Sequence, residues 1–188
     1  MIQEVIVTTL NRQGVPHIAP MGIHAHEDKF VIRPFKPCTT LDNIAETHTA
    51  IINYCDDVRI FAGCLTGRRN WPLKEAEKTT GHYLECALAH CELEIEKIED
   101  DDIRPMIFCK SIYEVTHKPF KGFNRAQFAV IEAAILVSRL HMLPWKKIEE
   151  ELAYLRIGME KTAGEREKEA WQWLMEVVED FKQGVIQA

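Results

Sequence analysis

The sequence predicts an α+β protein in two parts: a β-rich, barrel-sized portion over residues 1–117 and a small three-helix portion over residues 118–188. Three observations predict it. Runs of β-branched and alternating residues, separated by turn formers, recur from Val5 to Val115. Beyond Phe123 the apolar residues fall at helical spacing instead. The composition is that of an ordinary folded chain: of 188 residues, 46% are hydrophobic and 28% charged.

The first strand is Val5-Ile6-Val7-Thr8-Thr9-Leu10, and Asn11-Arg12-Gln13-Gly14 turns it back. The return strand, Pro16 to His24, carries prolines at positions 16 and 20, which suits an edge. After a turn at Glu27-Asp28, Lys29 to Phe35 reads as a third strand. The period then changes. Leu41, Ile44, Ala45 and His48 share a helix face, with Thr40 as N-cap and Asp42 near the positive end. Ala50 to Tyr54 is a strand, Asp56 to Phe61 continues it less regularly, and Gly67 to Pro72 is a loop. Cys91 to Ile98 alternates strictly, Glu99 to Asp102 is an acidic turn expected to be solvated, and Pro105 to Val115 is the last strand.

In the second part, Asn124 caps a helix running to about His141. Pro144 suits the first turn of the next, which has Ile148, Leu152 and Leu155 on one side. Thr162-Ala163-Gly164-Glu165 reads as a capping box for the third, with Trp171, Leu174, Val178 and Phe181 facing inward.

No signal peptide is visible at Met1 to Leu10, and no apolar run nears the roughly 18 residues that span a bilayer. The six cysteines form no C-x-x-C pair. A cytoplasmic protein with mostly buried thiols, and no membrane partner, is expected. The formal net charge of −6 disfavours nucleic acid as a partner. Any anionic ligand must be small and held by local positive charge.

One segment offers that charge. Arg33-Pro34-Phe35-Lys36-Pro37-Cys38-Thr39-Thr40 sets two cations and two hydroxyls before a helix start, where unpaired N–H groups attract phosphate. A plain helix cap with solvated cations is the equally weighted alternative.

The chain resembles the flavin-reductase-like FMN-binding split barrels. The resemblance rests on Thr8-Thr9-Leu10, on Gly14 to Ile23, on Thr40-Leu41-Asp42-Asn43-Ile44-Ala45-Glu46-Thr47 and on Ile51-Ile52-Asn53. It looks closer still to a largely archaeal family of uncharacterised FMN-binding split-barrel proteins with a C-terminal helical domain. Arg33-Pro34-Phe35, Asn124-Arg125-Ala126, Ile131-Glu132-Ala133 and Ser138-Arg139-Leu140-His141 carry that likeness. The resemblance implies FMN as cofactor and a homodimer with the flavin near the subunit interface. It implies phosphate contacts from Arg33, Lys36, Thr39 and Thr40, and a backbone run of Ala19, Pro20, Met21, Gly22 and Ile23 beneath the ring. Asn53 would approach the ribityl chain or ring edge. Pro34, Phe35, Asn43, Asn124 and Arg125 complete the cofactor-binding set.

The implied function is a flavin-dependent oxidoreductase, with NAD(P)H as a transient substrate because no Rossmann or Walker loop is present. A non-catalytic FMN carrier or sensor with a partner-docking helical tail is the alternative. A metal enzyme using His24 and His26 is a weaker one, and no metal ligand is assigned. His82, Cys86 and His90 recur every four residues, but a junction with Cys86 buried and the histidines peripheral is favoured over a helical metal stripe. Arg125, Glu132 and Arg139 form either a solvated or an ion-paired helix stripe. Trp71, with Arg68 and Arg69, is a loop aromatic that packs or covers a ligand.

Overall fold

The computed structural model describes residues 1–185. They form two compact units, Met1–Cys55 with Trp71–Phe120, and Asp56–Asn70 with the chain from Lys121 on.

The first unit is a closed barrel. Its strands are β1 (Ile2–Leu10), β2 (Pro16–His26), β3 (Lys29–Ile32), β4 (Thr49–Tyr54), β7 (Ala89–Glu99) and β8 (Met106–Thr116). Helix α1 (Thr39–Thr47) and the short strands β5 (Leu73–Glu75) and β6 (His82–Leu84) complete the unit. The order around the barrel is β1-β2-β3-β8-β7-β4, closed by antiparallel β1–β4 pairing. Alternation sends Val5, Val7, Ile23, Ile52, Cys91 and Leu93 inside, where they are essentially dry.

The opposite face of β1, β4 and β7 is not wet either. The stretch from 76 to 84 lies over it and is pinned by one buried polar side chain from each strand. The Thr8 hydroxyl donates to His82 O (2.6 Å). Asn53 Oδ1 accepts from Leu84 N (2.7 Å). The Glu92 carboxylate accepts from the N–H groups of Glu77, Lys78 and Thr79 at 2.6–2.8 Å. Burial alone pushes the Glu92 carboxyl up, but these donors outweigh it and hold it below the usual carboxylate range. Sequence alternation marks which residues of a strand face away from the core, not that a hairpin with three-residue strands will cover them.

The second unit packs α2 (Arg59–Leu65) against α3 (Arg125–Val137), α4 (Trp145–Thr162) and α5 (Glu165–Lys182). Helix α2 replaces the irregular strand expected after Asp56. Its Ile60 to Cys64 run is buried on every side, so no helical period shows in the sequence. Buried Asp57 takes both Arg59 Nε and Nη2 at 2.9 and 2.7 Å, and Arg59 Nη1 reaches Glu169 on α5 at 3.0 Å. On α4, a Cβ at Gly158 would stand 3.2 Å from Arg125 O, so glycine lets the helices meet closely there.

Several boundaries move. β3 stops at Ile32, because the chain leaves the sheet at Arg33-Pro34. α3 ends at Val137, so Arg139 lies past its end and the 125–132–139 stripe is broken. α4 runs through Thr162; the cap of α5 is Gly164, whose N–H donates to Glu167 Oε2 at 2.9 Å. Asn124 caps α3 as expected, accepting from Ala126 N and Gln127 N.

The six cysteines form no disulfide. Cys64, Cys91 and Cys109 are buried, whereas Cys38, Cys55 and Cys86 are half-buried. Burial pushes the Cys64 and Cys91 thiols up to about 11 and Cys109 to about 12, which disables them as nucleophiles at neutral pH. No described helix is long and apolar enough to cross a membrane.

Candidate functional site

One seam of the closed barrel is only partly paired. β3 pairs with β2 only over Ile23–His26, while β1 pairs with β2 along its whole length. From Ala19 to Gly22, β2 therefore has a strand on one side and, among the described residues, none on the other. Pro20, which has no N–H for a ladder, sits in this stretch. Ile23 and Ile32 are partners in the register, so the chain departs from β3 at Arg33 where the unpaired edge of β2 begins. The strand edge and the Arg33–Thr40 connection are one neighbourhood by topology.

Within the connection, the cations differ. Lys36 Nζ is taken by Asp100 at 2.6 Å. This hydrogen bond raises the Lys36 pKa and lowers that of Asp100. The turn at 99–102 is thus not simply solvated: Asp101 Oδ1 also accepts from Ile103 N and Arg104 N. Arg104 in turn donates Nε to Arg33 O at 3.1 Å and lies over the exposed Phe35 ring at 4.5 Å. Arg33 is the contrasting case. Its Nε is buried and has no hydrogen-bond partner, an expensive state for part of a cation.

Helix α1 starts one residue before the expected cap. Cys38 occupies the N-cap position and makes no side-chain bond to the first turn. Its leading N–H groups are left without a side-chain cap, and the hydroxyl-bearing Thr39 is exposed beside them. Thr40 instead lies wholly inside, with its hydroxyl unpartnered.

Two family models match the chain. Residues 3–118 match the N-terminal domain of a family of proteins of unknown function called DUF447, and residues 124–176 match a second DUF447 model. The chain belongs to the DUF447 family. The DUF447 fold seen here is similar to an FMN-bound DUF447 protein of Methanosarcina mazei, at 21% identity and a TM-score of 0.81 over 94% of each chain. It is also similar to a 2-nitrobenzoate 2-nitroreductase of Pseudomonas fluorescens: 22% identity, TM-score 0.53, 61% of this chain and 64% of that one. Component B of a nitrilotriacetate monooxygenase from Mycobacterium thermoresistibile gives 15% identity and a TM-score of 0.55, over 64% and 72% of the two chains. No curated protein matches.

Within this DUF447 chain, solvent access sorts the sequence-derived site residues. Ala19, Pro20, Met21, Gly22 and Arg33 are half-buried, and Phe35 and Thr39 are exposed. Pro34 is buried, and Ile23, Thr40 and Asn53 show no accessible surface. Asn53 is occupied within the barrel unit. Its Nδ2 donates towards Ile6 O and the Thr8 hydroxyl, both at 3.2 Å, and its Oδ1 holds Leu84, so the amide serves the hairpin. Asn43 is likewise buried and donates to the Thr9 hydroxyl at 3.0 Å.

Asn124 spends its side chain on the α3 cap and on Thr162 O. Arg125 is exposed and lines a cavity of about 190 Å³ in the second unit with Phe128 and Tyr154. Arg68 pairs with Glu176 and stacks on Trp173, and Arg69 donates to Cys64 O, so both arginines serve that unit. Among the described residues, no group of three His, Cys, Asp or Glu is placed to hold a metal. His90, expected at the periphery, is fully buried. The His82–Cys86–His90 repeat spans a strand, a turn and a strand rather than a helix.

Proposed function

We propose that this DUF447 protein is an FMN-binding flavoprotein, working as a flavin-dependent oxidoreductase in the form of a homodimer with the flavin near the subunit interface. The observation that carries the reading is the orphaned Arg33 Nε on the connection that leads into an α1 N-terminus with no side-chain cap. Both needs are met by one phosphate. The FMN-bound relative supports the choice of ligand.

FMN, when bound, supplies hydride chemistry that needs no protein acid or base. The protein's residues bind and orient. Arg33, Thr39 and the first N–H groups of α1 grip the phosphate. The unpaired edge of β2 from Ala19 to Gly22 supplies backbone groups to the ring system, and Gly22 has no side chain to stand between them. Residues 1–117 are the flavin-binding part and 118–188 the helical one, with α2 added to the latter. NAD(P)H enters as a transient substrate. Six cysteines without a disulfide fit a reducing, cytoplasmic setting.

Two measurements test this. Protein purified without added cofactor should release FMN on denaturation. Steady-state NAD(P)H oxidation in the presence of FMN and an electron acceptor should exceed the protein-free rate. Bound FMN without turnover would make the protein a carrier or sensor instead.

A further inference from the structure

On the outer face of the barrel, three side chains form a line from a dry interior to solvent. Glu92 on β7 is fully buried, as is His90 two residues before it. Glu92 Oε1 lies 3.5 Å from His90 Nε2, a charge contact without hydrogen-bond geometry, and that buried nitrogen has no hydrogen-bond partner. His90 Nδ1 lies 2.8 Å from Nε2 of His117, which follows β8 and is exposed. The Tyr83 ring of β6 stacks on both imidazoles, 4.0 Å from His90 at 12° and 5.0 Å from His117 at 6°. The backbone of His117 is fixed as well, its N–H donating to Leu88 O at 2.7 Å.

The carboxylate decides the tautomers. A lone pair on His90 Nε2 would face a negative oxygen, so the proton sits there, and Nδ1 becomes the acceptor. His117 must then donate its Nε2–H to His90. This leaves the Nδ1 lone pair of His117 pointing away from the pair, on an exposed ring held in one orientation. His117 is thus a base oriented by a hydrogen bond to His90 and by the Tyr83 ring, with a buried carboxylate near the inner imidazole to favour positive charge along the line.

We propose that Glu92, His90 and His117 form a charge relay whose outer member is a reactive base for a small anionic ligand. In the step it performs, His117 Nδ1 takes a proton from an O–H, N–H or activated C–H of the ligand, and the bonding pair stays on the ligand. His117 becomes an imidazolium whose Nε2–H remains on His90, with Glu92 behind it; no electrons are transferred and no co-reactant is consumed. The ligand's charge follows from the neighbours. Lys118 adjoins His117 in sequence, and Lys74 of β5 acts on it electrostatically. Lys78 stands over the Tyr113 ring, 5.8 Å away. Glu85, paired with Lys74, and Glu114 of β8 are the opposing charges nearby. Burial, then the charges of His90, Lys74 and Lys118, lower the His117 pKa, which favours the unprotonated ring.

The test is carbethoxylation by diethyl pyrocarbonate, followed residue by residue with mass spectrometry on the full chain. The exposed His26, His48 and His141 serve as internal standards. His117 should react several-fold faster than all three at pH 6. His90→Gln and Glu92→Gln should each bring the His117 rate down to the standards. Inorganic phosphate, at constant ionic strength, should slow His117 alone. A wild-type His117 that reacts no faster than the standards overturns the relay without any variant. A fast His117 that both substitutions leave unchanged also overturns it, and a fast His117 that phosphate does not protect overturns the anionic ligand. None of these outcomes depends on flavin.

Discussion

Removing the Arg33 guanidinium would leave the α1 N-terminus and Thr39 as the remaining grip on a phosphate. Arg33→Ala is therefore expected to weaken FMN by about 1.5–3 kcal/mol, the worth of hydrogen bonds to a charged group, and to leave riboflavin almost untouched. Calorimetric titration of both flavins checks this; an equal loss for the two would put Arg33 away from the phosphate. Lys36→Ala should cost FMN much less than Arg33→Ala in the same titrations, because Asp100 already holds the ammonium. The two cations three positions apart were legible in the sequence as a pair. Their inequality was not, because it depends on a turn more than sixty residues away. Thr40 and Asn53 show the same limit. Both side-chain types suit a phosphate or a ribityl chain, but only strand register and helix phase reveal that they point into dry protein.

At the scale of elements, Glu92 ties the 76–84 covering stretch to the barrel through three backbone N–H groups. Its folded pKa lies below the unfolded value of about 4.3. The linked stability is thus fully present above that value and lost as pH falls through the folded pKa. Urea unfolding at pH 7 and in acid should show the wild type losing more stability than Glu92→Gln over that interval. Amide exchange at Glu77 to Thr79 should rise in acid before exchange in β1. Asn124→Ala should cost about 1 kcal/mol in unfolding free energy, by removing the α3 cap and its bond to Thr162. Long elements were readable: β1, the strict alternation of β7, the Asn124 cap of α3 and the apolar stripes of the C-terminal helices. β2, read as an edge strand from its prolines, lies instead between β1 and β3 in the closed barrel and is one-sided only in the stretch around Pro20. Missed elements were short or uniformly apolar. β5 and β6 have three residues each, too few for a period, and α2 shows no polar face from which a helix could be inferred.

At the scale of the whole molecule, the net charge of −6 speaks against nucleic acid, and the proposed FMN phosphate grip is Arg33, Thr39 and the start of α1. The proposed homodimer predicts a light-scattering mass of twice the 21.7 kDa chain when FMN is bound. A flavin-loaded protein that stays at the mass of one chain would refute it. The most direct test of the central claim is a parallel equilibrium titration of flavin-free protein with FMN and riboflavin. The phosphate site predicts that FMN binds at least tenfold tighter, a difference of about 1.4 kcal/mol or more. Equal affinities, or no uptake of FMN, would contradict it.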